Sequence, residues 1–218
     1  MSTGRWLALW SACLVAFLVL SLVPLDGPSA LVRQSAFTAI MLGALGWATG
    51  RWWTALFRRV TLRDAGLMVV FAVLGMITSG VAALVVRSLF AVSANPLSGG
   101  TRGGTGQTIV EWVGDAVQLL GEELMTLLPF LALLHILTGR AGLGRRPAIV
   151  WAALVTAVWF GALHLPTYDW NVAQSLIVIG AARLVLTLAY IRTKNLWVPV
   201  GAHILFDTTV LFLVPALT

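Results

Sequence analysis

Charge is what this sequence has least of. Only 10% of its 218 residues are Asp, Glu, Lys or Arg, where a soluble domain of this size carries roughly a quarter. Lysine is almost missing: Lys194 is the sole one, and every other basic side chain is an arginine. Cysteine is limited to Cys13 in the first apolar run, which excludes an internal disulfide framework and a thiolate zinc site. Internal repeats and coiled-coil heptads are also lacking. The net charge of +6 has no basic and aromatic surface pattern beside it, so no nucleic-acid partner is expected.

Apolar residues make up 59% of the chain, and the mean hydropathy is +0.94. They fall in long runs, and an apolar run of about 20 residues spans the hydrocarbon core of a bilayer. The expected fold is therefore all-α: a polytopic transmembrane bundle of about seven helices. Residues 1–218 are read as one membrane-embedded domain. The runs place helices near 6–25, 34–53, 65–90, 110–138, 147–165, 172–191 and 196–216. The third and fourth exceed a bilayer and must tilt, bend or project into water. Arg5, the apolar run to Leu25 and the following GPSA resemble a signal peptide. The length of the run and the helices behind it favour an uncleaved first span.

Between the runs, SANPLSGGTRGGTGQT (93–108) is the one long loop, and TGRAGLGRRP (138–147) is a tight basic connection. In HLPTYDWN (164–171), Pro166 should stop the preceding helix near His164. Gly46 and Gly50 form a small-xxx-small pair, compatible with close helix approach and equally with coincidence in so Gly- and Ala-rich a chain. Arg5, then Arg51, Arg58, Arg59 and Arg63, then Arg140, Arg145 and Arg146, then Arg192 and Lys194 fall in alternate connections. That bias implies a cytoplasmic N-terminus in the cell membrane. Arg33, Arg87 and Arg102 lie on the other side and leave the bias incomplete.

Ionisable residues inside such runs cost at least a few kcal/mol each, so each is a candidate functional group. Glu122, Glu123, Arg183, His203 and Asp207 qualify, and His164 joins them at a helix end. On a helix, Glu122 and Glu123 point about 100° apart. Thr126, four residues after Glu122, could donate to its carboxylate. Pro129 removes a backbone donor and should weaken the helix just beyond the pair, where water could enter. Two carboxylates so close suit general-base work on water; a structural pair bonded to neighbouring helices is the other reading. Phe160 and His164 share one helix face at i and i+4, as do His203 and Asp207. The second pairing suggests imidazole orientation or proton transfer. His135 has no such company and reads as structural.

Glu122-Glu123, Phe160 to His164 and His203 to Asp207, in that order on three expected helices, resemble the three motifs of the CPBP family of intramembrane proteases. That family includes the CAAX prenyl endopeptidases and Abi-type bacterial proteins. Its motifs are a Glu-Glu pair with an arginine four residues on, Phe-x-x-x-His, and His-x-x-x-Asn or Asp. The likeness covers roughly 115–212, expected to be the catalytic core. It implies an intramembrane endopeptidase in which Glu122 activates water, His164 binds or polarises it, and His203 with Asp207 steadies the oxyanion. Glu123, Phe160 and Arg183 would support them. Two histidines and a glutamate could make a zinc site from Glu122, His164 and His203, but no His-Glu-x-x-His is present, and the metal-free route is favoured with no cofactor.

The sequence departs from the motifs twice. Leu127 stands where the first motif has arginine, and Arg183 in the sixth run has no other explanation. The expectation is that Arg183 pairs with Glu123 in its place. Asp207 replaces the commoner asparagine, and an ionised carboxylate cannot donate to an oxyanion, so it must stay protonated or only orient His203. The implied partners are membrane lipid and a peptide or protein substrate, lipidated or not. A non-proteolytic binding or immunity protein of the same fold is the alternative. A small proton-coupled carrier is a third reading, one that would call for inverted repeats, and none is visible.

Overall fold

A computed structural model describes residues 1–26, 29–93 and 109–217, with side chains to residue 210. The loop expected at 93–108 therefore lies, from residue 94 on, outside the described residues. The described chain is all-helical and has no strand. Its α-helices are α1 (Thr3–Leu22), α2 (Ala30–Thr49), α3 (Leu62–Leu89), α4 (Ile109–Gly139), α5 (Arg145–Leu163), α6 (Gly180–Thr193) and α7 (Trp197–Leu217). Among the described residues, five segments are long and apolar enough to cross a membrane: α1, α3, α4, α5 and the stretch Gln174–Thr193 containing α6. The protein is thus a multi-pass membrane protein by the length and composition of its helices.

Local chemistry explains the helix ends. The chain leaves α1 at Val23, which is extended (φ −84°, ψ 114°) because Pro24 disfavours helical geometry in the residue before it. Thr61 and Asp64 form a reciprocal capping box that starts α3. Lys194, in the left-handed region at φ 54°, ends α6. At 1.5 Å per residue, α3 and α4 run about 42 and 46 Å. Both continue unbroken, α4 straight through the buried Pro129. The expected weakening beyond the acidic pair is not seen as a break: one lost donor is tolerated where the flanking helix is buried and packed.

The chain forms two compact units, one of residues 1–57 and 108–153, the other of 58–107 and 154–218. In the first, α1, α2 and α4 pack together. Arg5, at the start of α1, donates to the carbonyl of Ala48 near the end of α2, and Arg33 of α2 donates to the carbonyl of Val23 at the end of α1 (both 3.2 Å). Each guanidinium satisfies a carbonyl that its neighbour's helix cannot. Arg33, an exception to the charge bias, is thereby accounted for. Gly114 and Gly121 of α4 let α2 come close: a Cβ at Gly114 would run into the Gln34 carboxamide, and one at Gly121 into the Phe37 ring and Thr38 Oγ1. Gly46 and Gly50 meet nothing within 4 Å. Among the described residues, the glycines that permit close packing of α2 lie on α4 instead.

In the second unit, α3 packs on α6 and α7 around Phe71, Ala72, Val185, Leu186, Ala189, Val198 and Ala202. Before α6, residues Gln174–Ile179 form a π-helix, a wide turn frequent at functional sites. Gly161 of α5 lies against this turn so tightly that a Cβ would sit 2.6 Å from the Ser175 carbonyl oxygen.

Candidate active site

The first unit carries the acidic pair. Glu122 and Glu123 are both buried midway along α4, Glu123 at 2% exposure. The residue that holds Glu122 is Gln118, one turn earlier, whose Nε2 donates to Glu122 Oε1 at 2.9 Å. Thr126 does not donate to this carboxylate as expected; its hydroxyl turns back to the Glu122 backbone carbonyl at 3.3 Å. That is the usual resort of a threonine inside a helix, whose short side chain reaches the carbonyl four residues back. Leu127, at the position of the motif arginine, is buried and apolar.

The second unit carries the imidazoles and the guanidinium. As Pro166 requires, α5 stops at Leu163, and a single 3-10 turn, Pro166–Tyr168, follows. This connection is clasped to the end of the segment after α3. Gln174 Oε1 accepts from the Ser93 amide (2.8 Å), its Nε2 donates to the Ser93 carbonyl (3.1 Å), and Asn171 Nδ2 donates to the Ala91 carbonyl (2.7 Å). His164 thus sits at the mouth of a pinned connection. Its Nδ1 lies 2.9 Å from the Phe160 carbonyl. A carbonyl only accepts, so Nδ1 carries the hydrogen and, in the neutral ring, Nε2 carries the lone pair. The Phe160 ring packs on the His164 ring (4.5 Å between centroids) and also on Arg183, whose Cζ lies 5.1 Å from its centroid.

Phe160 therefore links two expected site residues, histidine and arginine, through one aromatic ring. Arg183, at 1% exposure, is the largest fully buried side chain described, and a cation over a ring face is a tolerable place for a buried charge. His203 and Asp207 do share a face of α7, with Nε2 and Oδ2 3.8 Å apart. That exceeds the length of a direct hydrogen bond. His203 is buried and Asp207 half-buried. His135 is exposed and lies against the Trp6 ring, in keeping with a structural role.

Among the described residues, Gln118 contacts Glu122, Phe160 contacts both His164 and Arg183, and His203 lies near Asp207. Among the described residues, no three His, Cys, Asp or Glu side chains are grouped so as to hold a metal ion. Gln118 and Gln34 were not foreseen. The signal was there, an amide one helical turn before Glu122, but uncharged residues draw no attention in a search for ionisable ones.

A multi-helix membrane protein with, among its described residues, buried carboxylates, a buried imidazole and a buried guanidinium is the class that fold and site define. Comparison with known families narrows it: residues 108–209 match the family model described as Type II CAAX prenyl endopeptidase Rce1-like. The matched stretch contains all three motif pairs, from Glu122 to Asp207. No curated protein and no solved structure matches the chain.

Proposed function

We propose that this protein is an intramembrane endopeptidase in which Glu122 activates a water molecule for attack on a peptide carbonyl. The observation that carries the proposal is the family match over 108–209, which takes in the three motif pairs. The local geometry supports it. Glu122 takes the proton of the attacking water, and the lone pair on His164 Nε2 accepts the water's second hydrogen. The water oxygen bonds to the carbonyl carbon, and the charge that builds on the carbonyl oxygen is met by His203. Glu122 then passes its proton to the amine nitrogen as the C–N bond breaks. No covalent intermediate forms, and no step is routed through a metal.

Arg183 supplies the positive charge that Leu127 does not, through the pairing with Glu123 expected from the sequence. The test is hydrolysis, by mass spectrometry, of prenylated and unprenylated peptides by the purified protein in detergent. Cleavage by the wild type that vanishes in Glu122→Gln supports the proposal. Arg183→Leu should lose activity, and Leu127→Arg should restore part of it; no restoration sinks the pairing. Leu127 is also what favours the second reading, a binding or immunity protein on the same fold. A folded wild type that cuts no peptide of either kind decides for that reading.

A further inference from the structure

Three polar side chains outside the motifs form a directed chain that ends on Glu122. Gln34 of α2 is buried at 6% exposure. Its Nε2 donates to Asp115 Oδ1 at 3.2 Å and to Gln118 Oε1 at 3.3 Å. Gln118 Nε2 in turn donates to Glu122 Oε1 at 2.9 Å. Carboxyl oxygens stand at both ends, and these fix which way each amide faces. Turning either glutamine over would set its oxygen against a carboxyl oxygen and break two contacts at once. Asp115 therefore aims the amide of Gln34, Gln34 aims the carboxamide of Gln118, and Gln118 aims its own N–H at Glu122. Space for the chain depends on Gly114, where a Cβ would collide with the Gln34 carboxamide, its Cδ lying 3.1 Å away.

We infer that Gln118 and Gln34 are positioning residues that hold the Glu122 carboxyl group in one rotamer, with Oε1 engaged and Oε2 left to receive the proton of water. The inference rests on the proposed role of Glu122, yet it makes a claim about the carboxyl group that holds whatever the protein does. A hydrogen bond to a carboxylate works here in the way that outer partners orient a metal ligand: it removes rotational freedom from the reacting group before the reaction starts. Gln34 touches no motif residue in this chain of contacts, and Gln118 is the link by which it reaches Glu122.

The carboxyl stretch of Glu122 reports directly on this. An infrared difference spectrum of the wild type against Glu122→Gln isolates its band. Gln118→Met, which keeps length and removes both amide functions, should shift that band, and Gln34→Met should shift it in the same direction. The double variant should move it no further than Gln118→Met alone. In a cleavage assay, Gln118→Met should lower kcat by about 10- to 100-fold, as expected for one hydrogen bond to a charged group, with KM changed by less than about twofold. Gly114→Ala, which displaces Gln34 without altering any polar group, is the second perturbation if a methionine variant fails to fold. It should reproduce the Gln34→Met shift. An unshifted band in Gln118→Met overturns the inference, and independent, additive shifts from the two glutamines overturn the relay. Shifted bands in a protein that cuts no peptide sink the protease reading while the positioning of Glu122 stands.

Discussion

Phe160→Leu tests whether one ring organises half of the candidate site. The ring is buried, with the Arg183 guanidinium 5.1 Å from its centroid and the His164 ring at 4.5 Å. Leucine retains most of the apolar volume, so the packing loss itself should stay below about 1.5 kcal/mol. What disappears is the quadrupole. A desolvated cation–π contact contributes about 2 kcal/mol, and the ring–ring contact adds about 0.5–1.5 kcal/mol. The substitution should therefore cost about 3 kcal/mol, lowering the unfolding midpoint of a chain of this size by about 6–12 °C. The assay is unfolding in detergent, run as a double-mutant cycle with Arg183→Met. The cycle should return a coupling of about 2 kcal/mol. A coupling near zero, with Phe160→Leu equally costly whether or not Arg183 is present, would refute the reasoning and reduce Phe160 to a packing residue. Cleavage should fall as well, because the His164 ring loses the surface against which it rests.

Two other predictions concern the frame around that cluster. Gly161→Ala places a methyl group 2.6 Å from the Ser175 carbonyl oxygen; with backbone on both sides, the strain should cost about 1–3 kcal/mol. Amide hydrogen exchange should then quicken at Gln174–Ile179 before it does elsewhere, and unchanged exchange there would show that the contact is slack. Asn195 Oδ1 accepts from the amides of Arg58 (3.1 Å) and Trp197 (3.3 Å), joining the start of α7 to the segment before α3. Asn195→Ala should cost about 1–2 kcal/mol of stability, with Asn195→Asp losing less; equal losses would mean that the acceptor is not what matters.

Most helices were legible because long apolar runs admit few other structures. Where the expectation erred, polar residues misled it. It began α2 near residue 34, leaving Arg33 in the preceding connection, whereas α2 starts at Ala30. Arg33 and Gln34 sit within the helix because distant groups receive their hydrogens: the Val23 carbonyl for Arg33, Asp115 and Gln118 for Gln34. Spacing alone could show that Thr126 lies on the Glu122 face, yet not whether its hydroxyl prefers the carboxylate or the nearer backbone carbonyl.

By itself the sequence determined which segments are helices, where Pro166 ends one of them, and which few ionisable groups lie within apolar runs. Those properties follow from local backbone chemistry and from the cost of exposing peptide groups to lipid. Only the tertiary structure decided partners. Gln118 holds Glu122, Gln34 holds Gln118, and Phe160 lies between Arg183 and His164. A hydrogen bond or a ring contact depends on positions accurate to a fraction of an ångström. Those positions come from how closely helices pack, which Gly114 and Gly161 permit and no reading of a single helix reveals.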